Sequence, residues 1–224
     1  MTPKTRAIIY RMETVVRRAG ENDAAALAGI CYLAGKSQCE RSIYDLLFPG
    51  PFGDTPERLA LVARALATRH VCWLHHSKFI VAEVEGVVAA GLSGFSEEEA
   101  NNRDFAESFA ELGWQGPDFK AMAERLSPLF KVEPPKPEGV WVVENVATFP
   151  RFRGRGLINL LLEKMLQEGR DRGHDRAQIS IVTGNAPAQH AYEKVGFRVD
   201  REYSDPSFED FFGWPGMTRM FLES

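Results

Sequence analysis

Residues 140–173 contain the side chains and spacings best suited to chemistry. A largely β-branched run, residues 140–148, is followed by Arg151-Phe152-Arg153-Gly154-Arg155-Gly156, and then by apolar residues at 157, 158, 161, 162, 165 and 166. That last spacing predicts a helix with one buried face. A strand, a glycine loop and a helix in this order direct backbone N–H groups and the positive end of a helix dipole at one spot. The unit is therefore suited to binding an anion.

A second group of residues follows about 30 positions later. Asn185 stands three residues before Ala188 and seven before Tyr192, and Gly196-Phe197 comes next. Asn185 opens a predicted helix, which it is able to cap. On periodicity alone Tyr192 is either a core aromatic on the apolar face of that helix or a positioned phenol that donates a proton. Both interpretations stay open at this point.

Other phosphate and metal sites do not fit the sequence. The loop lacks the Gly-Lys-Ser/Thr of a P-loop, and Asn159 stands where a dinucleotide fingerprint needs glycine. A strongly apolar helix follows the arginines directly, which argues against an RNA-binding tail. His75 and His76 are adjacent, so on an extended segment they would face opposite ways, and no third ligand lies nearby. We therefore expect no metal site.

The elements that must position these residues form a mixed α/β pattern. The order is one strand, two or three helices, a hairpin, an insertion and then βαβαββ, without a clear linker, which predicts one domain over 1–224. Helices are expected at 55–69, from Ser96 to about Leu112 and from Pro117 to Pro128, and an aromatic-rich loop at 204–216. The helical insertion, about 95–139, either covers a site or mediates assembly. The aromatic side chains of this loop are expected to line the acceptor pocket, to pack under the loop or to form a dimer contact: Phe208, Phe211, Phe212 and Trp214.

Composition narrows the class of protein. The chain has 224 residues, 44% of them apolar and 26% charged, so it can bury a core. A net charge of −4 argues mildly against nucleic acid as the main partner. Three cysteines form no framework and fit a reducing compartment. The apolar run at 7–10 is too short for a signal peptide, and no stretch approaches the length of a membrane span. We therefore expect a soluble cytoplasmic protein that does not contact a membrane.

Together the two motifs resemble the GNAT superfamily of acyl-CoA-dependent N-acetyltransferases. The family loop, Gln/Arg-x-x-Gly-x-Gly/Ala after the fourth strand, is matched at every fixed position by residues 151–156. The downstream pattern of that family is matched by Asn185, Ala188, Tyr192, Gly196 and Phe197. The resemblance implies the GNAT fold, in which a mixed, mostly antiparallel central sheet is flanked by helices. It covers residues 14–94 in topology and 140–203 in motif.

The resemblance implies a role for each motif. Backbone amides at the loop would hold the pyrophosphate of acetyl-CoA, and Asn185 would contact its pantetheine arm, cap the helix or do both. Amides of the fourth strand would bind the acetyl carbonyl and stabilise the oxyanion. Tyr192 would protonate the leaving thiolate. The residues expected at the cofactor are Val146, Ala147, Thr148, Arg151, Phe152, Arg153, Gly154, Arg155, Gly156, Leu157, Asn185, Ala188 and Tyr192.

The acceptor half of the reaction is less defined. A lysine-like amine has a pKa of about 10.4, so removing its proton at pH 7 costs roughly 4–5 kcal/mol. Glu144, on the fourth strand, is the candidate base, and the alternative is an ordinary strand residue or a hydrogen-bond anchor. The acceptor is expected to be a small-molecule amine or a protein or peptide amine, and a homodimer is left open. The alternative is a non-catalytic acyl-CoA-binding module.

Overall fold

The computed structural model describes residues 13–50, 52–99 and 102–223. Within them seven strands form one sheet: β1 (Thr14–Arg18), β2 (Phe79–Val84), β3 (Val87–Ser96), β4 (Trp141–Thr148), β5 (Arg176–Val182), β6 (Arg198–Ser204) and β7 (Gly216–Glu223). Their order is β1-β2-β3-β4-β5-β7-β6. Every neighbouring pair is antiparallel except β4 and β5, which are parallel. The predicted mixed, mostly antiparallel sheet is confirmed.

Helices pack on both faces of the sheet because successive side chains along its inner strands join two apolar clusters, one on each face. Along β2, Phe79 and Val81 join one cluster, whereas Ile80 and Ala82 join the other. The first cluster contains the apolar face of α1, and the second contains that of α6. The helices are α1 (Ala24–Lys36), α2 (Ile43–Leu47), α3 (Pro56–Leu66), α4 (Asn102–Glu111), α5 (Gly116–Phe130), α6 (Leu157–Asp171), α7 (Ala186–Lys194) and α8 (Pro206–Phe212).

A buried ion pair joins the first three helices. Arg58 of α3 lies 3.0 Å from Asp45 of α2, and both side chains are almost completely buried. The Arg58 guanidinium also donates to the carbonyl oxygens of Tyr44 and Phe48 at 2.8 and 2.9 Å. Asp45 in turn accepts from the Tyr32 hydroxyl at 3.0 Å. Surrounding the two charges with hydrogen bonds offsets their loss of hydration and fixes α2 against α1 and α3.

The segment between β3 and β4 differs from its predicted boundaries. Ser96, expected to start a helix, is the last residue of β3, and a 3-10 turn at Glu97–Glu99 follows it. Glu99 accepts from the Ser96 N–H at 3.1 Å, so the capping-box pattern forms its local bond but opens only a turn. The predicted end of the next helix near Pro128 is wrong. α5 continues to Phe130, and its apolar face stays packed on the core beyond the proline.

Two other local predictions are corrected. The helix expected to reach Arg69 ends at Leu66. The expected aromatic loop contains a helix, α8. Asp205 caps the start of this helix, because its carboxylate accepts from the Ser207 N–H at 2.9 Å. Asp205 followed by Pro206 is a helix-start pattern, although the composition of residues 204–216 predicts a loop. Gly213, with a φ of +76°, ends the helix.

Among the described residues, no helix is long and apolar enough to cross a lipid bilayer. The two longest, α5 and α6, have 15 residues each, and both carry several charged side chains. The short apolar run at 7–10 lies outside the described residues.

Asp45→Ala tests the buried ion pair. We expect it to lower the free energy of unfolding by about 3–5 kcal/mol, because it leaves the Arg58 guanidinium buried without its counter-ion. Urea denaturation measures the loss. The control is Arg103→Ala, which removes the exposed pair with Glu107 and should leave stability nearly unchanged. A double change to Asp45→Leu and Arg58→Met should recover much of the loss. Equal effects of Asp45→Ala and Arg103→Ala would contradict the structural role.

Candidate active site

A cleft opens where β4 and β5 separate. The two strands pair only at residues 141–143 of β4 and 177–179 of β5. Beyond these positions they diverge, and a cavity of about 630 Å³ lies between them. Its walls include residues 143–148 and 179–181. On that side the β4 backbone has no strand partner among the described residues, so its polar groups face the cleft. An extended ligand with amide groups could bind such an edge as an added strand would.

The remaining walls come from two helix ends. The end of α1 and the turn after it contribute residues 33–35, 37 and 38, and the start of α7 contributes Asn185, Pro187 and Ala188. The Asn185 amide donates to the Ser37 hydroxyl at 2.7 Å, and its side-chain oxygen accepts from the Ala188 N–H at 3.2 Å. Asn185 therefore caps α7 and links it to the end of α1. The contribution of α1 was missed by the sequence motifs, because it depends on a contact across 148 positions.

An extra residue bends β4 at the mouth of the cleft. Ser93 of β3 pairs with Glu144, but Gly91 pairs with Ala147, so three steps on β4 oppose two on β3. Such a bulge reorients backbone groups and breaks regular pairing. Asn145 at this bulge has a φ of +55°, a left-handed conformation that asparagine tolerates better than most residues. The bulge thus turns the backbone next to residues 146–148, where the oxyanion-binding amides are expected.

Side chains clamp this bulge. The Tyr44 hydroxyl donates to the Asn145 Oδ1 at 2.8 Å, and the Asn145 Nδ2 donates to the Ser93 hydroxyl at 3.2 Å. Ser93 then donates to the carbonyl oxygen of Glu144 at 3.2 Å. The chain of bonds runs from α2 through Asn145 to the backbone of β4. It holds a strained residue beside the candidate base, and it was not predicted from sequence.

The arginine–glycine loop turns the chain from β4 into α6. Gly154 and Gly156 have φ values of +77° and +73°. A Cβ at either position would meet no protein atom within 4 Å, so the positive φ, rather than crowding, accounts for the glycines. Leu157 begins α6, whose first backbone N–H groups cannot bond within the helix. The loop therefore presents amides and a helix dipole suited to a phosphate group.

The three loop arginines occupy different places. Arg153 lines the cleft, and its Nε donates to the carbonyl oxygen of Thr148 at 3.4 Å. Arg151 and Arg155 lie over the Phe152 ring, at 4.6 and 5.4 Å from its centroid. Arg151 also borders a separate depression on the far side of the loop. The side chains of Phe152 and Leu157 are buried in the core beneath α6.

Tyr192 of α7 faces the cleft across from β4. It lines the cavity together with Val146, Ala147 and Thr148 of β4 and with Ala188 of its own helix. Its side chain is largely buried, and burial raises the pKa of the phenol above its usual value. A phenol in this environment stays protonated at neutral pH. Tyr192 is therefore a buried aromatic residue whose phenol side chain also lines the cleft.

Glu144 lies where three cavities adjoin. Besides the cleft, it lines a small cavity of about 140 Å³ and an apolar pocket of about 230 Å³. The Lys136 ammonium lies 3.6 Å from its carboxylate and 2.7 Å from that of Glu133. Burial raises the pKa of the Glu144 carboxyl, and the nearby Lys136 charge offsets part of that rise. Such a carboxylate is a stronger base than one in water.

The apolar pocket, hereafter the aromatic pocket, is built mostly by the segment between β3 and β4. Phe105 of α4 and Met122, Leu126 and Leu129 of α5 contribute, along with Trp73 and Phe95. The segment therefore covers the region beside Glu144. The aromatic residues near 208–214 do not line it: Phe208 and Phe212 are buried in the core, and Phe211 and Trp214 pack against that core.

The histidine pair differs from the prediction. His75 caps the 3-10 turn His76–Lys78, and the two imidazole rings lie 4.0 Å apart instead of facing opposite ways. The local chain is turned there, so the alternation of an extended segment does not apply. Across the described part of the chain, no group of three or more His, Cys, Asp or Glu side chains is arranged to hold a metal ion.

Comparison with known proteins identifies the class of protein. Residues 41–197 match the model of the acetyltransferase (GNAT) family. Since this match covers well over half of the chain, the protein belongs to the GNAT acetyltransferase family. The matched residues include both sequence motifs and most of the residues that line the cleft.

Individual relatives are more distant. Streptothricin acetyltransferase from Streptomyces lavendulae is 26% identical over 110 residues, which are 48% of this chain and 50% of that protein. The chain thus spans about half the length of this curated relative. An N-acetyltransferase from Staphylococcus aureus Mu50 has a similar fold, with a TM-score of 0.66, 18% identity and coverage of 93% of this chain and 100% of its own. The yncA protein from Salmonella typhimurium, solved with its cofactor acetyl-CoA, has a TM-score of 0.51, 19% identity and coverage of 94% and 93%.

Paired substitutions at Asn145 test the strained bulge. Asn145→Ala and Asn145→Gly both remove the clamp, but glycine adopts a positive φ without the steric cost that alanine pays. We therefore expect the glycine variant to be more stable by about 1 kcal/mol. Thermal and urea denaturation measure the difference.

Val199 on β6, exposed and without a positive φ, is the control position, where alanine should be the more stable of the two. If alanine is also more stable than glycine at position 145, the left-handed conformation does not hold in solution.

Proposed function

We propose that this protein transfers the acetyl group of acetyl-CoA directly to a primary amine. One observation supports the proposal above the others: Glu144, at the junction of the three cavities, lies on the same cleft as Tyr192. A proton acceptor and a proton donor thus line one cleft, and Glu144 also lines the aromatic pocket. Direct transfer between two substrates needs this arrangement.

The residues of the cleft fit acetyl-CoA. The amides at Gly154, Gly156 and Leu157 and the dipole of α6 suit the pyrophosphate, and Arg153 adds a positive charge. The open edge of β4 suits the amide groups of the pantetheine arm. A relative of the same fold was solved with acetyl-CoA, which supports this donor. When bound, acetyl-CoA supplies an acetyl group activated as a thioester.

Three groups of the chain would then act on the reacting atoms. The Glu144 carboxylate accepts a proton from the amine, directly or through water, because only a neutral amine attacks a carbonyl. The amides of residues 146–148 donate to the carbonyl oxygen as negative charge develops on it, a contribution of typically 10²–10³-fold per donor. The Tyr192 hydroxyl donates its proton to the departing sulfur. Burial raises the pKa of this phenol, so the hydroxyl is protonated at neutral pH and carries a proton to donate.

The acceptor is proposed only as a class. The curated relative is named for streptothricin, and a primary amine is the group that we propose Glu144 deprotonates. A pocket enclosed by α4 and α5 favours a small molecule over a folded protein surface.

Tyr192→Phe tests the proposed acid and the activity together. The hydroxyl acts only as the sulfur leaves, so we expect kcat to fall by about 10²- to 10⁴-fold while the Kd for acetyl-CoA changes little. Thiol release over a panel of primary amines and calorimetry with acetyl-CoA are the two measurements.

Tyr203→Phe, on β6 away from the cleft, is the matched control and should keep wild-type turnover. Unchanged kcat in Tyr192→Phe would remove Tyr192 from the acid role. Acetyl-CoA binding by the wild type without thiol release on any amine would instead indicate a binding module, and no binding at all would exclude the proposed function.

The pH dependence tests Glu144. A base works in its deprotonated form, so kcat/KM should fall as pH drops through the pKa of Glu144, which burial raises above its usual value. Glu144→Gln should lower kcat/KM and remove this acidic limb. Lys136→Met should move the limb to higher pH, because the ammonium that favours the ionised carboxylate is gone.

Glu202→Gln, on exposed β6, is the control and should leave the profile unchanged. An acidic limb that persists in Glu144→Gln would assign the base to another group.

A further inference from the structure

The aromatic pocket has one polar side. Of its side chains, only Glu133, Lys136 and Glu144 are charged, and contacts of 2.7 and 3.6 Å join them into one cluster. The rest of the lining is aliphatic or aromatic. A molecule in this pocket therefore meets carboxylates at one place and only apolar surface elsewhere. This combination suits a ligand with one charged group and an otherwise apolar body.

The apolar walls are held in place by ring packing. The indole of Trp73 stacks on Phe105, with centroids 6.0 Å apart and planes 2° apart, and it also contacts Phe95 at 6.5 Å. Phe105 continues the stack to the buried Phe109 at 4.2 Å. Rings packed in this way have little rotamer freedom to lose when a ligand binds. The pocket is thus largely preformed.

Size and charge restrict the ligand further. The volume is about 230 Å³, and an apolar cavity of about 150 Å³ already admits benzene. A phenyl ring with a two-carbon spacer or a six-carbon chain is therefore of the right size. With all three groups ionised, the cluster of two carboxylates and one ammonium has a net charge of −1, which one further ammonium would neutralise. A second ammonium would lie against the apolar walls.

We propose that the aromatic pocket binds the acceptor, and that the acceptor is a primary amine on a compact apolar body, an alkylamine or arylalkylamine. Its ammonium lies at the Glu133–Lys136–Glu144 cluster, and its body fills the space between Trp73, Phe105 and α5. Glu144 then receives the amine proton, and the amine nitrogen faces the cleft. This inference rests on the proposed acetyl transfer and adds the substrate class to it.

Two amines of equal heavy-atom count test the substrate class. n-Hexylamine and 1,5-diaminopentane differ in that a terminal methyl replaces a second ammonium. We expect kcat/KM for hexylamine to exceed that for the diamine by at least about tenfold, because a second charge loses hydration against the apolar walls. 2-Phenylethylamine should behave like hexylamine. Thermal shifts of the CoA-saturated protein should show the same order without turnover.

Phe130→Asp provides a matched variant. Phe130 lines the rim of the pocket and is 52% exposed, so the change should not unfold the protein. The new carboxylate should reduce the preference for hexylamine by favouring the diamine. Val199→Asp, at an exposed apolar position on β6, is the control and should keep the wild-type preference.

The results separate this inference from the proposed function. Thiol release with the diamine equal to or better than hexylamine would overturn the substrate class while leaving acetyl transfer intact, and would indicate that the rings bind cations. Faster reaction with hexanoyl-CoA than with acetyl-CoA, without any advantage for hexylamine, would assign the pocket to the acyl chain and overturn the inference. Absence of acetyl-CoA binding would overturn both proposals.

Discussion

The early end of the pairing between β4 and β5 is the constraint on which the site depends. Two parallel strands in the middle of a sheet would normally continue together and satisfy each other's backbone groups. Here the ladder stops after three positions on each strand. The backbone of β4 beyond Val143 then bonds to β3 on one side only and faces open space on the other. A gap in the centre of the sheet provides both room for a ligand and unpaired polar groups to bind it.

Holding that gap open requires support from outside the sheet. The buried Asp45–Arg58 pair fixes α2, and Arg58 bonds to the backbone of Tyr44. Tyr44 in turn bonds to Asn145, whose left-handed backbone forms the bulge in β4. A continuous series of contacts thus runs from a buried charge pair to the strand that carries Glu144. Helix packing outside the sheet therefore supports the bulged part of β4.

Sequence-based predictions were accurate where a structure depends on neighbouring residues, and less accurate where it depends on residues distant along the chain. Helix α7 and its cap at Asn185 were predictable because the cap bond spans three residues. The capping-box pattern at Ser96 gave a wrong prediction because the same local bond also closes a turn after a strand. Whether Ser96 starts a helix or ends a strand depends on its pairing with β4, 45 positions away along the chain. Helix α8 was missed although Asp205-Pro206 marks its start, because a rich set of glycines, prolines and aromatics also fits a loop. Lys136 could not be connected to Glu144 at all, since a proline-rich segment brings it there only in the folded chain.

The sequence by itself determined the elements that we propose bind the donor: the glycine loop after an apolar strand, the amphipathic helix after it, and the spacing from Asn185 to Tyr192. These features are local, because glycine conformations, helix periodicity and caps depend on neighbours along the chain. Only the tertiary structure decided the surroundings of Glu144, where we propose that the acceptor binds. It placed the end of α1 against the cleft, clamped Asn145, and assembled a pocket from α4, α5, Trp73 and Phe95 beside Glu144. These contacts join residues far apart in sequence. The burial of each side chain and the charges beside it are therefore set only when the chain packs.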